Sequence, residues 1–346
     1  NTPAIVDPLA DHNAWSQRLK SAGPMRLEAG NGSLFHVPIY NAKDATTTAV
    51  LTQFAWAAAQ TTMGIQPTMP NWWTGTVYKP GMVPWNPAWA WPATKQPTDR
   101  TIIIVNYDTG QCWEIWKCMD DSGGHGDWIS NINNWFAASY AQNAGLPCIT
   151  VADARTWSSI WTRTDDKHIG IRGCGLDKAA GIVRLSELID GQINHAINMT
   201  ISNTRISTSF RRPAVRGEIS SLSVGQLGGV VTSVRPDSET MLSGTRFILD
   251  VNALWADPTL SRIAASIQPN TWHVVDTLIR TFASYGCLAT ETGGYGIGIE
   301  TDWSESTALQ WSAIGISSFA PTEPHQQFLA TLSQTPSVWK LAKEMP

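Results

Sequence analysis

Thr101-Ile102-Ile103-Ile104-Val105-Asn106-Tyr107 / Asp108-Thr109-Gly110 / Gln111-Cys112-Trp113-Glu114-Ile115-Trp116-Lys117-Cys118 is the stretch that decides the fold reading. The first segment is β-branched and apolar. The middle one carries turn chemistry, with a glycine for the left-handed position, and the last alternates aromatic and polar residues. Such a pattern predicts a β-hairpin. Working outward, Trp128 to Asn134 reads as a returning strand, His195 to Ser202 alternates in strand fashion, and Arg246 to Val251 is a further strand. Cys287 to Glu291, a turn at Gly293-Gly294 and a return through Tyr295 to Glu300 read as a closing hairpin. Helical signals are sparser: Ala14 to Ser21, an Ala- and Thr-rich stretch from Ala45 to Thr61, a short helix start at Ser186-Glu187-Leu188 with Ser186 as its cap, and Thr271 to Tyr285. The last has apolar residues at helical spacing and Gly286 as its stop. Many short strands, few helices and no βαβ alternation predict a mainly β protein. The expected form is a β-sandwich or jelly roll with long Trp-rich loops and a few peripheral helices. The expected organisation is one β-rich domain over 1–346: an irregular Trp/Pro-rich part at 1–97, a β core at 98–320 and a tail at 321–346.

The chain has 346 residues with 15% charged side chains and a formal net charge of −4. No basic run suggests nucleic-acid binding, and no run of about 18 apolar residues suggests a membrane span. Thr, Ser, Asn and Gln dominate the polar residues, and the sequence opens without Met, so a secreted, extracellular or virion-surface protein is expected. Five cysteines permit two disulfides with one thiol left over. Cys112 and Cys118 would lie about 20 Å apart on one strand, too far to pair with each other. No thiolate spacing points to a metal, and no cofactor is expected.

Eighteen tryptophans stand against 6 tyrosines and 8 phenylalanines, and eleven of the eighteen lie between Trp72 and Trp161. Between Gly64 and Pro97, seven prolines and five tryptophans occur with little periodicity. An aperiodic stretch this aromatic is expected to be functional. An indole offers a flat apolar face and one N–H donor at its edge, which suits a sugar ring. Trp72, Trp73, Trp85, Trp89, Trp91 and Trp128 are therefore candidate substrate-binding residues, and a polysaccharide or cell-wall glycan is the expected partner.

The segments Asp99 to Trp116, Gly181 to Ile201 (GIVRLSELIDGQINHAINMTI), Gly244 to Leu254 (GTRFILDVNAL) and Phe282 to Asp302 (FASYGCLATETGGYGIGIETD) occur in that order. Over roughly the last two thirds of the chain they resemble a set of functionally unassigned secreted actinobacterial proteins and actinophage tail proteins. The resemblance implies extracellular service but no particular reaction. Relatives of that kind usually carry a His two residues after the Asp that opens the hairpin, where this chain has Thr101. They often carry a Trp-Pro-Ala-Arg-type segment, where this chain has Arg212-Pro213-Ala214-Val215. His195, in Asn194-His195-Ala196, matches the pattern.

Cutting a glycosidic bond takes two carboxyl groups, one protonated and one ionised. Asp99, Glu114 and Asp127 are the catalytic candidates near the aromatic region, with Asp108, Asp120 and Asp121 beside them; Glu300 and Asp302 stand near the C-terminal strands. Asp108 is more simply a turn residue. Glu114 lies between Trp113 and Trp116, where desolvation would raise its pKa, and the competing reading is a solvent-facing side chain opposite a buried Trp. His195 is a candidate general base or lyase base, against a structural histidine at a strand start. Serine-hydrolase, nucleotide and zincin motifs are missing from the sequence. The leading expectation is an extracellular polysaccharide-degrading enzyme, hydrolase or lyase, working in a Trp-lined groove. The alternative is a non-catalytic glycan binder, lectin-like or a phage tail receptor-binding protein. A third reading makes the indoles structural braces.

Overall fold

A computed structural model describes residues 3–28, 37–53, 82–89, 101–116, 148–151, 153–157, 172, 174–202, 206–214, 217, 240–293, 296–302 and 308–344. The chain divides into two compact units: Val37–Ile171, and Asn1–His36 together with Arg172–Pro346. In chain order the described strands are β1 (Met25–Glu28), β2 (Ile39–Asn41), β3 (Thr47–Gln53), β4 (Met82–Trp85), β5 (Ile102–Val105), β6 (Cys112–Trp116), β7 (Cys148–Val151), β8 (Asp153–Trp157), β9 (Ile197–Ser202), β10 (Ile206–Phe210), β11 (Met241–Ser243), β12 (Arg246–Leu249), β13 (Cys287–Gly293), β14 (Ile297–Glu300) and β15 (Trp339–Leu341). The α-helices are α1 (His12–Ala22), α2 (Leu185–Asp190), α3 (Val251–Ala256), α4 (Pro258–Ala264), α5 (Pro269–Ser284), α6 (Ala308–Ala313) and α7 (Pro324–Gln334).

The smaller unit holds a four-stranded sheet, β2-β5-β6-β8, and a three-stranded one, β4-β3-β7. The decisive hairpin is present: β5 and β6 pair antiparallel, with Ile102 opposite Ile115 and Ile104 opposite Trp113. Its turn is fixed by Asn106, whose Oδ1 accepts from the Asp108 and Thr109 amides, and by Gly110 at φ 76°. Ala45 to Thr61, read as helical, instead contains β3. Thr47, Thr48 and Val50 are β-branched and stiff at χ1, which favours the pleated strand. Ala49, Val83, Trp85, Trp89, Ile102, Ile104, Trp113 and Ile115 form one buried cluster.

The larger unit is built on a six-stranded mixed sheet, β1-β14-β9-β13-β12-β15. Register puts Met25, Leu27, Ile297, Ile299, Ile197, Met199, Ile201, Cys287, Ala289, Phe247, Leu249, Trp339 and Leu341 on one face. All of them join a core completed by Leu19 of α1, Val274, Leu278 and Phe282 of α5, and Phe328 and Leu332 of α7. Helix α5 matches the helix read from Thr271 to Tyr285, running from Pro269 to Ser284 with Tyr285 as its cap before Gly286 at φ 75°.

The mainly β, sandwich-like expectation is overturned. Seven α-helices are present among the described residues, the fold is mixed α/β, and no sheet closes into a barrel or sandwich. Helices α1, α5 and α7 supply the apolar layer that a second sheet would provide in a sandwich. The closing hairpin is also corrected. β13 and β14 do not pair; β9 lies between them, parallel to β13 and antiparallel to β14. The first five residues of β9 are all buried, and a strand buried on both faces is stable only in the middle of a sheet, where both its edges are paired.

Candidate functional site

The alternation that sends apolar residues of the six-stranded sheet toward the helices sends Glu300, Asn198 and Thr200 to the opposite face. All three are buried. A charged residue in such a position is stable only when paired, and the segment entering the larger unit provides the partners. Arg172 Nη2 donates to Glu300 Oε2 in a short contact, and Lys178 Nζ donates to Oε1 at 2.7 Å. The side chains of Arg172 and Glu300 are fully buried, and that of Lys178 is 5% exposed. The arginine is held in turn by the Asp177 carbonyl, 3.2 Å from Nε, and the Lys178 carbonyl, 3.2 Å from Nη2. With its amide oxygen turned inward, Asn198 accepts from Arg172 Nε at 3.2 Å and Nη2 at 2.8 Å.

Two local features seat this segment. Gly181 lies against Asn198: a Cβ there would stand 2.1 Å from Asn198 Cγ, so only glycine permits the approach. Val183 then bridges to Thr301, with the Val183 amide donating to the Glu300 carbonyl at 3.0 Å and the Asp302 amide to the Val183 carbonyl at 2.9 Å.

One residue further on, α2 begins, and a second group of titratable side chains gathers at its start. Glu187 Oε2 accepts from the Arg184 amide at 2.9 Å, and the Arg184 guanidinium stands 3.6 Å from Oε1. Glu187 therefore caps the helix by reaching back to its N-cap residue. The cap residue is Arg184, not Ser186 as the sequence suggested. His195 Nε2 lies 3.1 Å from Glu187 Oε1, and Nδ1 lies 3.0 Å from the Ala196 carbonyl oxygen. Burial alone would raise the Glu187 pKa, but the hydrogen bond and charge of His195, with Arg184, bring it net below the usual value.

The sequence candidates are placed as follows. His195 is 10% exposed at its side chain and joined to Glu187, a partner that sequence reasoning missed although the two stand on one resemblance segment. Glu114 lies fully buried on β6 opposite Arg155 of β8. Trp85 and Trp89 sit inside the smaller unit's core, where Trp89 stacks on Tyr40 with centroids 4.8 Å apart and meets Trp85 edge-on. The Tyr40 hydroxyl donates to the Trp89 carbonyl at 2.8 Å. Asp108 is an exposed turn residue paired with Lys43 at 2.7 Å. Asp99, Asp127, Trp72, Trp73, Trp91 and Trp128, with Asp120, Asp121 and the Trp128 to Asn134 strand, lie outside the described residues. Among the described residues, no cluster of His, Cys, Asp and Glu suits a metal ion, and no helix is long and apolar enough to cross a membrane.

Chemically, the buried Glu300 group is a charge lock of one carboxylate held between two cations, and the Glu187–His195 pair is a carboxylate-oriented imidazole near the surface. No family model, curated protein or solved structure matches the chain.

Proposed function

We propose that the protein is an extracellular glycan-recognition protein, serving on a secreted or virion surface and binding cell-wall polysaccharide without cleaving it. The observation that favours recognition over catalysis is the commitment of two of the described acid and base candidates, His195 and Glu300. Both nitrogens of His195 and both oxygens of Glu300 already face protein partners. A general base needs a nitrogen or oxygen within reach of the substrate proton, whereas stacking on indoles needs none. The Trp-rich composition supports the same reading, since it supplies apolar faces with a polar edge.

A second reading, a polysaccharide hydrolase or lyase, is favoured by the Glu187–His195 pair. A carboxylate that orients an imidazole is a recurrent acid/base arrangement, and release of Nε2 from Glu187 would make His195 available. One experiment separates the two. The intact chain is presented to a panel of bacterial and plant polysaccharides, with bound material, new reducing ends and unsaturated sugars all measured. Retention without new ends is the expected result. Release of fragments that disappears in His195→Ala would establish the enzyme reading instead.

A further inference from the structure

Burial separates Trp255 from the other described tryptophans. Its residue surface is 41% exposed, whereas Trp85, Trp89, Trp113, Trp311 and Trp339 are each 8% exposed or less. Leaving an indole in water forfeits the stabilisation its burial would bring, so an exposed ring that is also held rigid calls for a use. Trp255 is held from beneath. Its ring packs at 6.0 Å and 54° against Trp272 of α5, which meets the fully buried Phe328 of α7 edge-on at 6.1 Å. Three aromatic rings thus run from the core to the surface. The backbone below is equally constrained. Asp250 caps α3 by accepting from the Ala253 amide at 3.1 Å, and Asp257 caps α4 by accepting from the Thr259 and Leu260 amides at 2.9 Å. The Ser261 hydroxyl donates to the Trp255 carbonyl at 3.2 Å.

The surroundings indicate what the ring would meet. Along α3, α4 and α5, Trp255 is the most exposed large apolar side chain among the described residues, while Val251, Ala253, Ile263 and Trp272 on the same helices are partly buried. Asn252, three residues earlier and exposed, shares its helix face and offers an amide donor and acceptor beside the indole. Asp250 is paired with Lys340 at 3.9 Å, and the charge of Asp257, the cap of α4, is offset in the formal count by Arg262 in the last turn of the same helix, so these helices carry no net charge excess. We infer that Trp255 is a carbohydrate-stacking platform that takes the apolar C–H face of a neutral pyranose unit, with the Asn252 amide beside it for a ring hydroxyl. The inference rests on the glycan-recognition reading and locates it in the larger unit, on a tryptophan the sequence did not nominate.

The test uses the intact chain with neutral cello-, chito- and manno-oligosaccharides, and polygalacturonate as the charged comparison. Affinity is measured by calorimetry for the wild type, Trp255→Ala, Trp255→Phe and Asn252→Ala. Truncating a central aromatic anchor should weaken binding of the neutral ligand about tenfold or more, Trp255→Phe should lose much less, and Asn252→Ala should fall between. Thermal midpoints guard against misfolding. Saturation-transfer NMR on the wild type gives a readout independent of the variants: sugar C–H protons should receive magnetisation on one ring face. Binding of a neutral oligosaccharide with Trp255→Ala indistinguishable from wild type would overturn the platform and leave glycan recognition standing. Binding of polygalacturonate alone would overturn the neutral class. Absence of binding to every glycan would overturn both readings together.

Discussion

Replacing Glu300 by Gln should be among the most damaging isosteric changes in the larger unit. The carboxylate is fully buried and holds Lys178 at 2.7 Å and Arg172 in a shorter contact. At 2.7 Å and an effective dielectric near 20, one such pair is worth about 6 kcal/mol before desolvation. The cost of removing one member follows from the charges left behind, because Glu300→Gln strands two buried cations with an amide that neutralises neither. Breaking a buried pair in this way costs roughly 3–5 kcal/mol. For a unit of roughly 200 residues, that corresponds to a fall in melting temperature of roughly 6–20 °C. Lys178→Met should cost less, since Arg172 remains to neutralise Glu300. Differential scanning calorimetry checks both, with the larger unit's transition followed separately because two units need not melt together. A Glu300→Gln transition within about 1 °C of wild type, or a larger loss for Lys178→Met than for Glu300→Gln, would refute the charge-lock argument.

The remaining predictions are local. Glu187→Gln should cost about 1.5–3 kcal/mol at pH 7, the worth of charged hydrogen bonds to His195 and Arg184. Because the Glu187 pKa is lowered in the fold, its contribution is complete above the ordinary value of 4.5 and is lost as pH falls through the folded value. Urea midpoints of wild type and variant should accordingly converge in acid; a gap that stays constant from pH 7 to pH 3 would count against the pairing. Gly181→Ala drives a methyl into the Asn198 amide, which lies 2.1–2.3 Å from the new Cβ. It should cost about 1–3 kcal/mol, and Asn198→Ala in the same background should recover part of that loss. Trp89→Ala removes a buried ring stacked on Tyr40 and should lower the smaller unit's stability by about 3–5 kcal/mol, with the larger unit's transition unchanged; loss of glycan binding with no loss of stability would give this ring a binding role instead.

Where one segment carries both its own pattern and its own stop, the sequence was readable. The β5–β6 hairpin sets a β-branched apolar run and an alternating one on either side of a turn closed by Asn106 and Gly110, and α5 repeats its apolar residues until Gly286 ends it. Errors arose where a distant segment decides the outcome. Gly293-Gly294 between two apolar runs is a sound local hairpin signal, yet the buried faces of β9 need neighbours on both edges, and β13 and β14 are those neighbours. The number of helices was underestimated because α3, α4 and α6 have only six or seven residues each, too short to display a period, and because α7 was taken into the tail. Glu300 was visible as a candidate carboxylate, but Arg172 and Lys178 lie 128 and 122 residues earlier in the chain. Glycine-rich spacing around them carries no signal of a charge lock. Glu187 and His195, eight residues apart, were the one pair that local reasoning could have joined: a helix-start Glu followed by a strand-start His across a Gly191 turn brings both ends of the loop together.

Tryptophan abundance by itself does not say which rings face solvent, and the energetics run against exposure. Burying a large apolar side chain stabilises a protein by roughly 1.5–3 kcal/mol, so folding draws most indoles inward whatever the surface needs. Trp85, Trp89 and Trp113 follow that rule in the smaller unit, as do Trp311 and Trp339 in the larger one. Trp85 and Trp89 were nominated for their setting in a Pro-rich stretch, yet their neighbours Tyr40, Val83 and Ile104 gave them a core to enter. Trp255 stays partly out because α3 ends beneath it and α4 begins at once, so the ring packs at a tilt on Trp272 and is left 41% exposed. A ring that is anchored yet uncovered loses little conformational entropy when a ligand lands on it, and preorganisation of that kind lowers the cost of binding. Position on a braced helix end, rather than membership of an aromatic-rich stretch, is therefore the physical criterion that separates the exposed indole from the packed ones among the described residues.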